Sequence, residues 1–236
     1  MSIKKIAIMQ PYFFPYIGYF QLIKAVDYFV FYDDVSFIKG GWIHRNRIIQ
    51  SNEPRYISIP MIGASSNKKI NEVEINLNQI AQSKLLKTIK FNYKKAPYFN
   101  EIMPLIGDVI GAQEQNLAQI AANSTKAVAK YLNLNTNFYF SSELDFGHRA
   151  NDRLNRLIEI IYGFNAKSYI NAQGGKDLYK KEQFLKSGIE LRFIKTHLKP
   201  YNQNLGEFVP GLSIIDVLMN NSKSDVLAML NDFELE

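Results

Sequence analysis

The chain has 236 residues, nearly half of them hydrophobic, with a net charge of +6 and no cysteine. That composition excludes disulfides, thiol nucleophiles and thiolate-bound zinc, and three scattered histidines argue against a histidine-rich metal site. There is no run of about eighteen apolar residues, so no membrane-spanning helix is predicted. The opening MSIKKIAIMQP is basic and then apolar but lacks a small-residue cleavage site, so it is not read as a signal peptide and the cytoplasm is the expected compartment.

In chain order, IAIM (residues 6–9) is a short apolar run that fits a buried strand. Pro11, Pro15 and Gly18 then force a turn. Residues 19–27 fit a short helix with Phe20 and Ile23 at helical spacing, and residues 28–32 form a second apolar run that stops at Asp33 and Asp34. Strand, turn, helix and strand make a βαβ unit. Ligands of such folds gather outside the carboxyl ends of the strands. This places residues 10–19 and 33–47 on one rim.

Residues 55–60 (RYISIP) read as a third strand, 63–69 as a flexible loop, and 69–77 as a short alternating strand. A helical segment follows over about 79–132. It comprises a first helix ending before Pro97, an apolar stretch that Pro104 either kinks or restarts, and a clear amphipathic helix over 116–132. Residues 137–141 read as a strand, 151–162 as a helix ended by Gly163, and 167–171 as a strand followed by Gln173, Gly174 and Gly175. A helix over 180–187, a strand over 190–194 and a last helix from Ser213 to about Met219 complete the reading. The alternation predicts an α/β fold with a mainly parallel sheet and flanking helices, a nucleotidyltransferase- or Rossmann-like core, in a single domain over 1–236.

The rim holds the candidate chemistry. Asp33 and Asp34 read either as a turn cap or as a general base for an amine or sugar hydroxyl. Lys39, Arg45 and Arg47, with Trp42 between them and Asn46 beside them, read either as solvated loop charges or as a grip on phosphate or carboxylate with a stacking wall. Gly174 and Gly175 either end a strand or let the backbone approach a ligand. Ser141, Ser142 and Ser213 fit caps better than nucleophiles, although Ser213 also falls within the expected substrate surface. His148 and His197 lie in polar loops. The expected site joins Gln10, Tyr12, Asp33, Asp34, Trp42 and Arg45 in one pocket. The loop over 201–213 would fold over it, offering Tyr201, Gln203 and Asn204 to sugar hydroxyls.

The blocks QPYFFPYIGYFQLI, YDDVSFIKGGWIHRNRI, NYKKAPYF, SSEL and YNQNLGEFVPGLSIIDVLMNN, spread over nearly the whole chain, resemble the WbqC-like family. The resemblance implies a role in biosynthesis of O-antigen and other surface polysaccharides, with acyl or aminoacyl transfer to a nucleotide-linked amino sugar as the expected reaction. A second likeness is to nucleotidyltransferases, which carry H-x-G-H where this chain has Tyr16-Ile17-Gly18-Tyr19. Glycine there would let a phosphate approach the helix N-terminus. Phenols cannot supply imidazolium charge, which argues against adenylyl transfer. No cofactor is assigned. The expected partner is a nucleotide-linked sugar or similar anionic small molecule. The alternatives are a non-catalytic binder of a glycan precursor or partner enzyme, and a nucleic-acid-acting enzyme suggested only by the basic balance.

Overall fold

The structure, a computed structural model, describes residues 3–148, 150, 152–203 and 205–236. The opening unit is β1 (Lys5–Met9), α1 (Ile17–Lys24) and β2 (Tyr28–Phe31). The strands lie parallel in register from Ile6 opposite Tyr28 to Met9 opposite Phe31. Residues 17–23 of α1 are all buried, including Gln21, whose amide donates to the carbonyls of Met229 and Asp232. A helix apolar on nearly every side belongs inside a layered core.

Four strands complete the parallel sheet's neighbourhood: β7 (Asn137–Phe140), β8 (Ser168–Ala172), β9 (Glu190–Thr196) and β10 (Phe233–Leu235). The order across the sheet is β10-β9-β8-β1-β2-β7. All neighbours are parallel except β10, which runs antiparallel to β9. From β1 the chain steps outward through β2 to β7, then returns to the other side of β1 for β8 and β9. The boundary between β1 and β8 is therefore the switch point, the position at which ligands of such folds bind, outside the strands' carboxyl ends.

Side-chain alternation divides the core. Ile6, Ile8, Val30, Tyr169, Leu191 and Phe193 face α5 (Arg153–Gly163) and α6 (Lys181–Leu185). Ala7, Phe29, Phe31, Ile170 and Ile194 pack with α1, α2 (Gln79–Tyr93), α3 (Phe99–Gly111), α4 (Leu117–Tyr131), α7 (Ile214–Asn220) and α8 (Lys223–Met229). The α/β class with a mainly parallel sheet, and the helical segment as α2–α4, are as expected. Pro104 lies inside a continuous α3 rather than restarting it.

Three expectations are corrected. Residues 45–47, read as loop, open β3 (Arg45–Gln50), which pairs with β4 (Glu53–Ser58) in an antiparallel hairpin outside the main sheet. Its turn places Ser51 and Asn52 at φ of 51° and 64°, the left-handed pair that suits the twist of a two-residue hairpin loop. The stretch 69–77 is a single 3-10 turn at Ile70–Glu72 followed by β6 (Glu74–Ile75), which pairs with β5 (Met61–Ile62). Beyond α7 the chain continues into α8 and β10. The start of the expected helix at Asn151 lies outside the described residues; Asp152 caps α5 by accepting from the Asn155 amide at 2.9 Å.

Candidate functional site

The loop between β1 and α1 is held by buried polar side chains from three distant segments. Phe14 adopts φ of 38°, a conformation that costs a bulky residue strain and persists only where surroundings enforce it. Its N–H donates to Ser124 Oγ at 2.8 Å. Its carbonyl accepts from Ser213 Oγ at 2.7 Å and Asn46 Nδ2 at 2.8 Å. Asn46 Nδ2 also reaches the Phe13 carbonyl, and its Oδ1 accepts the Arg47 amide. Asn46 and Ser213 were expected on the substrate surface. Both are buried with their polar atoms committed, so they shape the rim rather than face a ligand. Tyr19 is corrected likewise: it is buried against Tyr12, with its hydroxyl donating to the Gln10 carbonyl at 2.7 Å. Tyr12 and Tyr16 are partly buried, and burial is the main cause that raises both phenol pKa values.

Gly18 has a different neighbour from the one expected. A Cβ there would sit 2.3 Å from the Tyr16 ring, so the glycine makes room for that ring over the first turn of α1, where a phosphate was expected to approach. Gly175 similarly accommodates the Asn171 amide, 2.4 Å from its would-be Cβ, whereas Gly174 faces open space. Gln173 begins the short 3-10 turn that follows β8.

At the end of β2 the strand has finished before the two carboxylates, so both turn toward Ser141. Asp33 Oδ1 accepts the Ser142 N–H at 3.0 Å and Oδ2 accepts Ser142 Oγ at 2.6 Å. Ser141 has one hydroxyl proton to share; its Oγ lies 2.5 Å from Asp34 Oδ1 and 3.0 Å from Asp33 Oδ1. Asp34 Oδ2 also accepts from the Arg156 guanidinium, and His148 Nδ1 lies 4.0 Å away. Burial pushes the Asp34 carboxyl up, but the Ser141 hydrogen bond and the Arg156 guanidinium outweigh it and leave the pKa below the ordinary aspartate value.

A depressed folded pKa stabilises the fold above the unfolded pKa, and this stability is lost as pH falls through the folded value. Asp34→Asn is therefore expected to lower the urea midpoint at neutral pH, with the gap to wild type closing below about pH 4. A gap that stays constant from neutral to acid pH would contradict this assignment. Arg156 was not foreseen. Its signal was present: Arg153 and Arg156 open a helix whose N-terminus favours anions, a placement that calls for an acidic partner.

The third group lies on the hairpin. Strand alternation puts Arg45 and Arg47 on one face of β3 and buries Asn46 and Ile48 on the other. Tyr56 stands opposite Arg47 in the register. The Arg45 guanidinium carbon lies 4.3 Å from the Tyr56 ring centre and that of Arg47 lies 5.7 Å from Trp42. The two rings are 6.2 Å apart and tilted by 37°. Trp42 and Tyr56 remain 38% and 50% exposed, so this face alternates cations with accessible aromatic surface. Nε of Arg45, Nε of Arg47 and Nδ1 of His44 are shielded from solvent without a hydrogen-bond partner. Burial, then the Arg45 charge, lowers the His44 pKa. Arg45 also donates to the Gly40 carbonyl, and Lys39 is exposed on the preceding turn.

The hairpin meets the β1 loop through the Phe13 N–H to Trp42 carbonyl bond of 3.1 Å, and β2 meets β1 through the Tyr32 N–H to Met9 carbonyl bond of 2.8 Å. The arginine–aromatic hairpin is thus tied to the loop after β1, and the carboxylate corner follows a bond to Met9, the last residue of β1 itself.

Tyr201 and Gln203 are also corrected. The Tyr201 hydroxyl donates to Asp216 Oδ1 at 2.6 Å, and Gln203 Nε2 donates to Tyr201, Asp216 and the Val209 carbonyl. They anchor the C-terminal loop to the fold rather than offering free groups to a sugar. Asn204 lies outside the described residues. The loop does pack beside α1, where Ile17, Tyr201, Phe208, Gly211 and Leu212 line a small hollow. A larger open groove lies elsewhere, between the hairpin turn and α2. Among the described residues no group of three or more His, Asp or Glu side chains is placed to hold a metal ion.

These features define a doubly wound α/β protein whose carboxyl-end rim carries a buffered aspartate corner and an arginine–aromatic hairpin. The chain belongs to the WbqC-like protein family, whose model matches residues 10–227. It is 29% identical over 220 residues to the uncharacterised protein Rv1507c of Mycobacterium tuberculosis, covering 92% of this chain and 94% of that one. No solved structure matches it. No helix among the described residues is long and apolar enough to cross a membrane.

Proposed function

We propose that this protein is a transferase of surface-polysaccharide biosynthesis, of the O-antigen type, that moves an acyl or aminoacyl group onto the amine of a nucleotide-linked amino sugar. The pathway and reaction rest on the likeness to the WbqC-like family. The observation that carries the ligand class is the pair of guanidinium groups of Arg45 and Arg47 on one face of β3 beside the half-exposed rings of Trp42 and Tyr56. A phosphate would satisfy both forks, and a base or sugar would lie on the exposed rings.

In the proposed step the sugar amine attacks the acyl carbonyl and a C–N bond forms. The bond from the acyl carbon to the donor's leaving group breaks, and the amine proton passes to a carboxylate. Asp34 suits that part better than Asp33 because it is the more accessible of the two, 9% against 2% exposed, although both oxygens of each carboxylate already accept hydrogen bonds. A low-pKa carboxylate is a weak base toward a free amine but sufficient once attack has made the nitrogen cationic and acidic. Gln10, Tyr12, Tyr16, Gln173 and Gly174, at the switch point, are proposed to contact the sugar.

The test is mass spectrometry of nucleotide-linked amino sugars incubated with the protein and thioester, acyl-phosphate or aminoacyl donors. The expected product is the N-acylated nucleotide sugar, formed by wild type and abolished in Asp34→Ala. Tight binding of the sugar nucleotide with no product from any donor would replace this reading by that of a non-catalytic binder.

A further inference from the structure

Helix α2 carries a face that the proposed reaction does not use. Leu85, Ile89 and Tyr93 are its buried residues. Half a turn away, Ile80, Lys84, Lys87 and Phe91 follow one another at spacings of four, three and four, a single helical stripe. Ile80 is 81% and Phe91 70% exposed. Lys90, Lys94 and Lys95 extend the charge, and the Lys94 ammonium lies over the Phe91 ring, 5.5 Å from its centre. Residues 75–100 contain no Asp or Glu. None of these five lysines enters a salt bridge with a described residue. The stripe borders an open groove of about 900 Å³ shared with Gln50 and Ser51 of the hairpin turn.

We infer that this face docks the protein on an anionic lipid bilayer. The occupant follows from charge complementarity and from the pairing of the two kinds of side chain. Five uncompensated lysines require an anionic surface, and each has a stem long enough to lie along apolar material while its head stays wet. Ile80 and Phe91 are about 16 Å apart along the helix at 1.5 Å per residue, with Lys84 and Lys87 between them. That arrangement seats two apolar anchors at the headgroup–acyl boundary with cations at phosphate level. A nucleic-acid backbone would use the lysines but gives an isoleucine as exposed as Ile80 nothing to enter. The contact is peripheral and does not depend on the transferase reading.

The test is flotation of the full chain with vesicles of phosphatidylcholine alone and of phosphatidylcholine mixed with phosphatidylglycerol. Wild type is expected to float with the mixed vesicles and not with the neutral ones, and to be released by salt. Lys84→Glu with Lys87→Glu is expected to lower partitioning about tenfold or more. Phe91→Ser, which leaves the charge unchanged, is expected to lower it several-fold. All three positions are exposed, so denaturation midpoints should match wild type, which separates lost docking from lost fold. Failure to bind the anionic vesicles would overturn the inference, as would binding that Phe91→Ser leaves unchanged. Binding to an RNA oligomer with no vesicle binding would reassign the face to polyanions.

Discussion

Replacing Asp216 by alanine is expected to lower folding stability by about 2–6 kcal/mol, because it leaves two or more buried donors without a partner. Asp216 is 1% exposed in the first turn of α7. Its Oδ2 accepts the Tyr93 hydroxyl of α2 at 2.6 Å, and its Oδ1 accepts Tyr201 at 2.6 Å and Gln203 at 3.3 Å. The Tyr93 oxygen in turn accepts the Ile49 N–H of β3 at 3.2 Å. One carboxylate thus ties α2, α7, the hairpin and the C-terminal loop. The same loop brings the Ser213 N–H to the Arg47 carbonyl at 2.8 Å, so the network also fixes the strand that carries the arginines.

Burial raises the Asp216 pKa, and its hydrogen-bond donors only partly reverse this. A raised folded pKa means that the native state binds the proton more tightly than the unfolded chain. The contribution of this group therefore declines as pH rises from the unfolded value through the folded one. Asp216→Asn keeps the shape and one acceptor, so it should lose less than Asp216→Ala. Guanidinium denaturation of the three proteins decides the matter, and an alanine variant with a wild-type midpoint would show that the network does not hold these segments together.

Changing Arg45 to Lys is expected to weaken binding of a nucleotide-linked sugar about 10- to 100-fold although the charge is kept, because the planar fork is lost. Trp42→Ala should remove stacking worth about 0.5–1.5 kcal/mol beyond its area. Both residues stand on the outer face of the hairpin, so their stability costs should be small beside that of Asp216→Ala. Equal losses of stability and affinity would make them part of the core. Unchanged affinity with unchanged stability would leave the cluster as solvated charge.

The opening βαβ unit was legible because IAIM and YFVF are pure apolar runs bounded by proline and acidic residues. RYISIP marked the hairpin's second strand, but the first strand was not legible. Its inward positions are Asn46 and Ile48, and a buried asparagine breaks the apolar alternation that marks a strand. What Asn46 does becomes visible only when Phe13 and Phe14, more than thirty residues away, lie beside it. The same holds for Tyr201 and Gln203: as sequence they are neutral polar groups in a loop, and nothing local links them to Asp216 in the helix that follows. Arg156 was readable in principle, as a cation at the wrong end of a helix. The pairing of Asp33 with Ser142 was not, since side-chain partners across neighbouring parallel strands leave no local pattern.

The most direct test of the ligand assignment is amide hydrogen exchange of the wild-type protein with and without a nucleotide-linked amino sugar. The expected result is slowed exchange over residues 42–47 and 54–58 and in the loop over 10–16. Protection confined to α2, or to the loop over 198–211 with none on the hairpin, would contradict the assignment and move the ligand away from Arg45 and Arg47.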